Sequence, residues 1–134
     1  MADRPAASKG EAMLGLELKQ VGAVRDTGDG RCLLELLPAY RAGLDGLAPG
    51  ARVQVLYWMH ELTYSERRAL RVHLRGDETM PIRGVFSLRS PMRPNPIGVT
   101  EVEVVEVRED GLVVVSLDAR DGSPLIDIKA VCRT

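Results

Sequence analysis

The sequence predicts a mainly β protein in which one sheet of six or seven short strands closes into a barrel, with one or two short helical segments. The apolar residues make up 45% of the chain but the aromatic ones only 4%, so the interior must be aliphatic and rich in Val, which favours strands. Short alternating segments follow one another between Gly, Pro and Asp residues, which are typical of turns. No G-x-G-x-x-G turn joins a strand to a helix, which predicts a non-Rossmann fold.

The chain has the size of one domain. Residues 1–10 are polar, small and aperiodic and are predicted to be a disordered tail, so residues 11–134 are expected to form the single domain. No apolar run reaches the roughly 18 residues of a membrane span, and the start lacks the apolar centre of a secretory signal. We therefore expect a cytoplasmic protein with no membrane partner. Cys32 and Cys132 have no C-x-x-C spacing or neighbouring His pair, so neither a metal site nor a disulfide is expected.

The first two strands are predicted to form a hairpin. Apolar residues alternate with polar ones from Leu14 onward, and this strand is expected to continue through Val24. The Asp-Gly pair at residues 29 and 30 suits a turn, because glycine accepts a positive φ without steric cost. Leu33–Leu37 returns as the second strand, which Pro38 ends.

A central strand follows a glycine-rich connection. Residues 39–50 contain three glycines and a proline and are predicted to hold at most a short helical turn. Arg52–His60 has apolar residues on both faces, which is typical of a strand with neighbours on both sides. Thr63 and Glu66 have the spacing of a capping box, which favours a short helix through Leu70; an arginine-rich loop is the alternative.

The second half of the chain supplies the remaining strands. Ile82–Leu88 and Val99–Val107 are predicted as the next two. Alternation slips by one residue at Val104, which predicts a β-bulge of the kind that bends a strand into a barrel. A second Asp-Gly pair, at residues 110 and 111, predicts a hairpin into Leu112–Leu117, and Pro124–Val131 is the last strand.

The charges are segregated although the net charge is only −1. Residues 67–93, here called the basic segment, contain seven arginines and two acidic residues, whereas the remaining chain carries a net charge of −6. A basic patch on an acidic body is typical of a protein that contacts phosphates on one side. A solvated arginine-rich helix and loop would explain the same pattern.

The decapeptide 89–98 reads Arg-Ser-Pro-Met-Arg-Pro-Asn-Pro-Ile-Gly. Its three prolines fix φ and remove three backbone donors, so it is predicted to be a stiff extended loop rather than a helix or a central strand. A stiff loop that carries polar side chains suits a binding site, because a pre-organised site loses less entropy on binding. The alternative is a polyproline connector.

Three motifs resemble those of one family. The run Ser-Pro-x-Arg-Pro-Asn-Pro-Ile-Gly, preceded by Gly-Val-Phe at residues 84–86 and by Arg89, is similar to the signature of the TsaA/TrmO-like proteins. Residues 43–47 and 55–60 resemble the family's central strand region, and residues 117–129 resemble its closing motif. The chain is therefore identified as a member of the TsaA/TrmO-like family over roughly residues 16–129.

This resemblance implies a homodimeric methyltransferase that uses S-adenosyl-L-methionine and methylates N6 of threonylcarbamoyladenosine next to the tRNA anticodon. It implies a cofactor site made by the end of the central strand, the stiff loop and the closing motif. The implied cofactor-binding residues are His60, Glu61, Arg89, Val99, Asp118, Ala119, Arg120 and Asp121. The candidates for contacting the anticodon loop are Arg67, Arg68, Arg71, Arg93 and Asn95.

The chemistry of these side chains is compatible with that role. The forked guanidinium donors of Arg89 and Arg93 suit a carboxylate or a phosphate. Asp118 and Asp121 can accept hydrogen bonds from ribose hydroxyls or the adenine amine, although Asp121 suits a turn equally well. No catalytic nucleophile is assigned, because methyl transfer from a sulfonium mainly requires alignment and exclusion of water. His60 and Asp118 are candidate general bases.

The chain also departs from the family pattern. Typical tRNA-modifying members carry a Ser-Pro and then a Pro-Arg-Gln segment after the first strand, where residues 24–30 run directly into a hairpin here. Residues 130 and 131 are Ala-Val where the family commonly continues Pro-Tyr. Two hypotheses therefore stay open: a methyltransferase, acting on a tRNA adenosine or on another amine, and a non-catalytic dimeric barrel that binds a nucleotide or RNA.

Overall fold

The computed structural model describes residues 15–132, so the predicted disordered tail at residues 1–10 lies outside the described residues. Six strands form the barrel: β1 (Gly22–Asp26), β2 (Arg31–Leu36), β3 (Arg52–Trp58), β6 (Ile97–Arg108), β7 (Gly111–Val115) and β8 (Pro124–Ala130). Two short strands lie outside it: β4 (Arg71–His73) and β5 (Ile82–Gly84). The helical elements are α1 (Tyr64–Arg67) and the 3-10 helices Pro38–Leu44, Leu74–Gly76 and Val85–Ser87.

The six strands close into an antiparallel barrel in the order β1-β2-β7-β6-β3-β8. Closure occurs where β1 pairs with β8, with Gly22 opposite Leu125. The mainly β, single-sheet, non-Rossmann fold predicted from the sequence is thus confirmed. A closed barrel leaves none of its six strands as an exposed edge.

Val and Leu side chains fill the barrel, as the composition predicted. Alternate residues of every strand point inward, which is the period of a pleated strand. The Val and Leu side chains of the barrel strands that are at most 1% exposed are Val24, Leu34, Val53, Val55, Val102, Val104, Leu112, Val114 and Leu125. Burial of each such side chain contributes about 1.5–3 kcal/mol, so this core is the main source of the fold's stability.

Several local predictions are confirmed. β1 and β2 form a hairpin around the predicted turn, and β6 and β7 form the second one. β3 is central, since it pairs with β6 on one side and with β8 on the other. The predicted bulge lies in β6, where the register with β7 shifts between Val104 and Glu106. The capping box is also present, because Thr63 Oγ1 accepts the Glu66 N–H and the Glu66 carboxylate accepts the Thr63 N–H.

The predicted start of the first strand is wrong within the described residues. β1 begins at Gly22, whereas Leu16 and Leu18 are 82% and 56% exposed. The reason is the length of the partner: β2 ends at Leu36, which pairs with Gly22, and the chain then turns into a 3-10 helix. The alternating residues before Gly22 therefore have no residue of β2 to pair with.

The predicted fourth strand, Ile82–Leu88, is also corrected. Only Ile82–Gly84 is extended, and it pairs with β4, a strand that was not predicted, in a two-stranded sheet outside the barrel. The chain then forms a 3-10 helix at Val85–Ser87, in which Val85 is the buried residue. The stiff loop is shorter than predicted as well, because β6 already begins at Ile97; residues 89–96 are called the proline loop below.

No helix among residues 15–132 combines the length and the apolar character needed to cross a bilayer.

Candidate functional site

Two adjoining cavities lie at the end of the barrel where β3 finishes. The first, of about 440 Å³, lies between the residues after β3, the proline loop and the loop at residues 116–123, here called the closing loop. The second, of about 600 Å³, lies between the proline loop, the start of β6 and the closing loop. The cavities share wall residues Tyr57, Met59, Pro91 and Asp118. Both volumes fall within the roughly 300–1,000 Å³ that is typical of small-molecule sites.

Most of the predicted site residues line these cavities. The first cavity is lined by His60, Glu61, Asp118, Ala119 and Arg120. The second is lined by Arg89, Arg93, Val99 and Asp118. The folding of the barrel therefore brings together three segments that are far apart in sequence, and Asp118 faces both spaces.

Asp121 lines neither cavity. Its Oδ1 accepts the backbone N–H of Asp26 at 2.9 Å, and the neighbouring Gly122 N–H donates to the Val24 carbonyl at 2.7 Å. These bonds tie the closing loop to β1. The carboxylate of Asp121 thus has the turn-stabilising contact that its sequence context favoured as one of two alternatives.

Tyr57 is a wall residue that the sequence analysis did not assign to the site. Its side chain is buried, and its hydroxyl donates to the Asp118 carbonyl at 2.7 Å. Tyr57 lies opposite Gly98 on β6, where an added Cβ would be 2.4 Å from the tyrosine ring. The ring therefore packs directly on the glycine and fixes the closing loop. Its position on the inward face of β3, in phase with Val53 and Val55, was the available signal.

The closing loop is further held by its own hydrogen bonds. Ser116 begins it with a φ of 62°, in the left-handed region that non-glycine residues rarely adopt. Ser123 is buried, and its Oγ donates to the Arg120 carbonyl at 2.7 Å. Together with Tyr57, these contacts position Asp118, Ala119 and Arg120 at the cavity wall.

An ion pair joins the closing loop to the end of β3. The Arg120 guanidinium donates to the Glu61 carboxylate, and His60 Nε2 lies 3.8 Å from Glu61 Oε1. The side chains of Arg120 and Glu61 are 77% and 50% exposed, so solvent and salt weaken the pair. These charges lie at the first cavity and can reorganise around a ligand at little cost.

The two arginines of the proline loop have different surroundings. Arg89 is exposed at the second cavity and donates one hydrogen bond, to the Val99 carbonyl. Arg93 is partly buried and donates to the carbonyls of Val85 and Leu88, the latter at 2.7 Å. Both arginines line the second cavity; Arg93 in addition fastens the proline loop to the preceding 3-10 helix, whereas Arg89 is the more exposed of the two.

The remaining candidates for RNA contact fall into one residue with a structural contact and three that are exposed. The guanidinium of Arg67 lies 5.0 Å from the centroid of the Trp58 ring and donates to the Pro94 carbonyl at 3.2 Å. Arg68 lies over the ring of Tyr64, at 5.7 Å. Arg68, Arg71 and Asn95 are exposed. Arg67 therefore joins α1 to the proline loop, and the other three side chains face solvent.

The cysteines and acidic residues do not form a metal centre in the described part of the chain. Residues 15–132 contain no group of three or more His, Cys, Asp or Glu side chains placed to hold a metal ion. Cys32 is buried, and burial together with the nearby carboxylates raises the pKa of its thiol.

The fold and the cavities define a class of protein: a small closed β-barrel with a ligand-sized site at one end. Residues 20–134 match the model of the tRNA-methyltransferase O N-terminal domain, and the chain belongs to this family. Solved structures agree in fold. The crystal structure of TrmO from Pseudomonas aeruginosa superposes with a TM-score of 0.68 at 24% identity, covering 89% of this chain and 57% of that one. The chain thus spans little more than half of that solved chain.

Two archaeal relatives are closer in sequence. A probable S-adenosyl-L-methionine-binding protein of Methanocaldococcus jannaschii is 39% identical over 113 residues, which cover 84% of this chain and 89% of that protein. A probable S-adenosyl-L-methionine-binding protein of Methanothermobacter thermautotrophicus is 48% identical over 96 residues, covering 72% of this chain and 66% of that protein.

Proposed function

We propose that this protein is an S-adenosyl-L-methionine-dependent tRNA methyltransferase that acts as a homodimer on N6 of threonylcarbamoyladenosine beside the anticodon. One observation carries the proposal: the proline loop and the closing loop meet around the cavities at the end of β3. The family match and the names of the archaeal relatives support the same cofactor and reaction class.

The cavity walls fit the parts of this cofactor. Arg89 offers a guanidinium for the methionine carboxylate, and Asp118 offers a carboxylate for ribose hydroxyls or the adenine amine. Met59, Met92 and Ala119 provide apolar surface in the first cavity. When bound, S-adenosyl-L-methionine supplies an activated methyl group whose leaving group is neutral. The residues of this chain therefore need to orient the reactants and exclude water.

Two side chains are placed to take a proton from the acceptor amine. His60 and Asp118 both line the first cavity.

A second candidate function is a non-catalytic barrel that binds a nucleotide or RNA. The observation that favours it lies at the β1–β2 turn, where the family's Pro-Arg-Gln segment is missing. Asp26 at the end of β1 contacts Asp121 of the closing loop, so a residue missing from this turn is missing beside the loop that carries Asp118 and Arg120. A third candidate is a methyltransferase whose methyl acceptor is an amine other than threonylcarbamoyladenosine.

Calorimetry with S-adenosyl-L-methionine tests the cofactor site. We expect binding by the wild type and a loss of affinity of about tenfold or more in Arg89→Ala, because a charge-assisted hydrogen bond is removed. Arg83→Ala is the matched control, since this exposed arginine lines neither cavity. No binding at millimolar ligand, or equal affinities in all three proteins, would contradict the proposed site.

Incubation with labelled S-adenosyl-L-methionine and tRNA tests the reaction. We expect label to enter threonylcarbamoylated tRNA and not the same tRNA without that modification. Cofactor binding without transfer to any tRNA supports the non-catalytic barrel. Transfer to unmodified tRNA or to a small amine retains the methyltransferase and rejects the acceptor.

A further inference from the structure

Large apolar side chains are exposed on the basic segment. Phe86, the only phenylalanine of the chain, is 84% exposed. Leu70 and Ile82 are 62% and 49% exposed. Exposed apolar residues are common singly, but an exposed aromatic ring next to several arginines is a feature of surfaces that bind single-stranded nucleic acids.

The pairing of β4 with β5 brings the backbone before Phe86 next to Leu70 and Arg71. Arg71 lies opposite Gly84, and the Val85 N–H donates to the Leu70 carbonyl at 2.9 Å. Phe86 follows Val85 directly, so its exposed ring is attached one residue after this backbone contact. Arg83 lies one residue before Gly84, on the other face of the ladder from Arg71.

The acidic residues of the basic segment lie at its far end. Asp77 and Glu78 belong to the turn that joins β4 to β5, and the Asp77 carboxylate is occupied by the Thr79 N–H and hydroxyl at 2.9 and 2.7 Å. The end near the barrel, where Phe86 stands, carries arginines. The potential there favours a polyanion.

The basic segment adjoins the cavities, because its residues Leu88 and Arg89 line the second one. Arg67 donates to the Pro94 carbonyl and so joins the base of the segment to the proline loop. Pro91 and Met92 of that loop line the first cavity. A nucleotide chain that delivers a base to the cavity would therefore pass the basic segment.

We propose that Phe86 is a stacking platform for one unpaired base of an RNA loop, with Arg71 contacting a flanking phosphate. This assignment rests on the proposed function, because it names how the substrate is held beside the cavity. Any base can stack on a phenyl ring, and loop bases are already unstacked from a duplex. A second copy of the chain fits less well, since a symmetric dimer that buried this patch against itself would bring the same arginines together.

Fluorescence anisotropy with two labelled RNAs tests the assignment: an anticodon stem-loop, and a duplex of the same length without unpaired bases. Phe86→Ala is expected to weaken stem-loop binding about tenfold and to leave duplex binding unchanged, because only the loop offers a base for stacking. Phe86→Tyr, which keeps an aromatic ring, is expected to retain the wild-type affinity. Leu37→Ala, at an exposed leucine that follows β2, is the matched control.

Two further measurements distinguish base stacking on Phe86 from a defect of the cofactor site and from a role of Phe86 in an interface between copies. Calorimetry with S-adenosyl-L-methionine is expected to give the same affinity for Phe86→Ala as for the wild type, so failure of the cofactor site is visible independently of the RNA result. Equal stem-loop affinities of wild type and Phe86→Ala would overturn the assignment. A shift of Phe86→Ala to a smaller species in sedimentation velocity would also overturn it, because the ring would then belong to an interface between copies.

Discussion

The barrel and the basic segment are held together in different ways. The barrel buries nine Val and Leu side chains to 1% exposure or less, and its strands are paired on both sides. In the basic segment, Val85 is the one buried residue among positions 67–93. Hydrogen bonds hold that segment instead, from Arg67 to the Pro94 carbonyl of the proline loop and from Arg93 to the Val85 carbonyl of the 3-10 helix.

This difference teaches where stability and recognition lie. Apolar burial is the largest contribution to the stability of a fold, so most of the free energy of unfolding comes from the barrel and little of it from the basic segment. The segment makes few apolar contacts and displays charges and rings to solvent, as expected for a region of low local stability that contacts a ligand. Four experiments test this division, in order of decreasing expected effect.

Truncation of the core should give the largest loss. Leu34→Ala is expected to lower the free energy of unfolding by about 2–5 kcal/mol, because Leu34 is fully buried and the cavity left behind cannot be refilled. Leu70→Ala, at an exposed leucine of the basic segment, should change it by less than about 0.5 kcal/mol. Urea unfolding measures both. Similar losses in the two variants would show that the segment belongs to the core.

Gly98→Ala tests the contact between the barrel and the site. The added methyl would lie 2.4 Å from the Tyr57 ring, so we expect a loss of about 1–3 kcal/mol in unfolding free energy and weaker cofactor binding. Gly84→Ala is the control, since its nearest neighbour beyond the local chain is the Leu70 carbonyl at 3.9 Å. Wild-type stability in Gly98→Ala would mean that the ring does not pack on residue 98.

Tyr57→Phe should have a smaller effect. It keeps the ring but removes the donor to the Asp118 carbonyl, which we expect to cost about 1 kcal/mol of stability. Cofactor affinity should also fall, because Asp118 is then held less firmly. Tyr64→Phe, on exposed α1, should change neither quantity. Chemical unfolding and calorimetry give the two readouts, and a fall in both variants alike would remove Tyr57 from its positioning role.

The change with pH in the stabilisation of α1 by its capping box should be the smallest effect. The Thr63 backbone N–H and then its hydroxyl lower the pKa of Glu66. A lowered folded-state pKa means that the capping contribution is fully present above the ordinary glutamate pKa and is lost as the pH falls through the folded-state value. In an NMR titration, the Glu66 midpoint should lie below the ordinary value and move partly back in Thr63→Ala. An ordinary midpoint in the wild type would contradict the capping box in solution.

The contrast between the regions also explains which predictions failed. The bulge at Val104, the capping box at Thr63 and the two Asp-Gly hairpins depend on neighbouring residues, and all are present. The first strand begins at Gly22, later than predicted, because β2 limits its length, and of the strand predicted over Ile82–Leu88 only Ile82–Gly84 is extended, paired with β4 outside the barrel. Alternation indicates an extended segment but does not indicate its partner.

The sequence by itself determined the β class, the turns, the helix cap and the three motifs around the site. These features depend on local sterics and on the alternation of apolar and polar residues along the chain. Only the tertiary structure decided that Tyr57 holds Asp118, that Arg93 is partly buried against two carbonyls while Arg89 stays exposed, and that Asp121 ties the closing loop to β1. These contacts join residues brought together by barrel closure and strand register. Both depend on the whole set of strands rather than on any one segment.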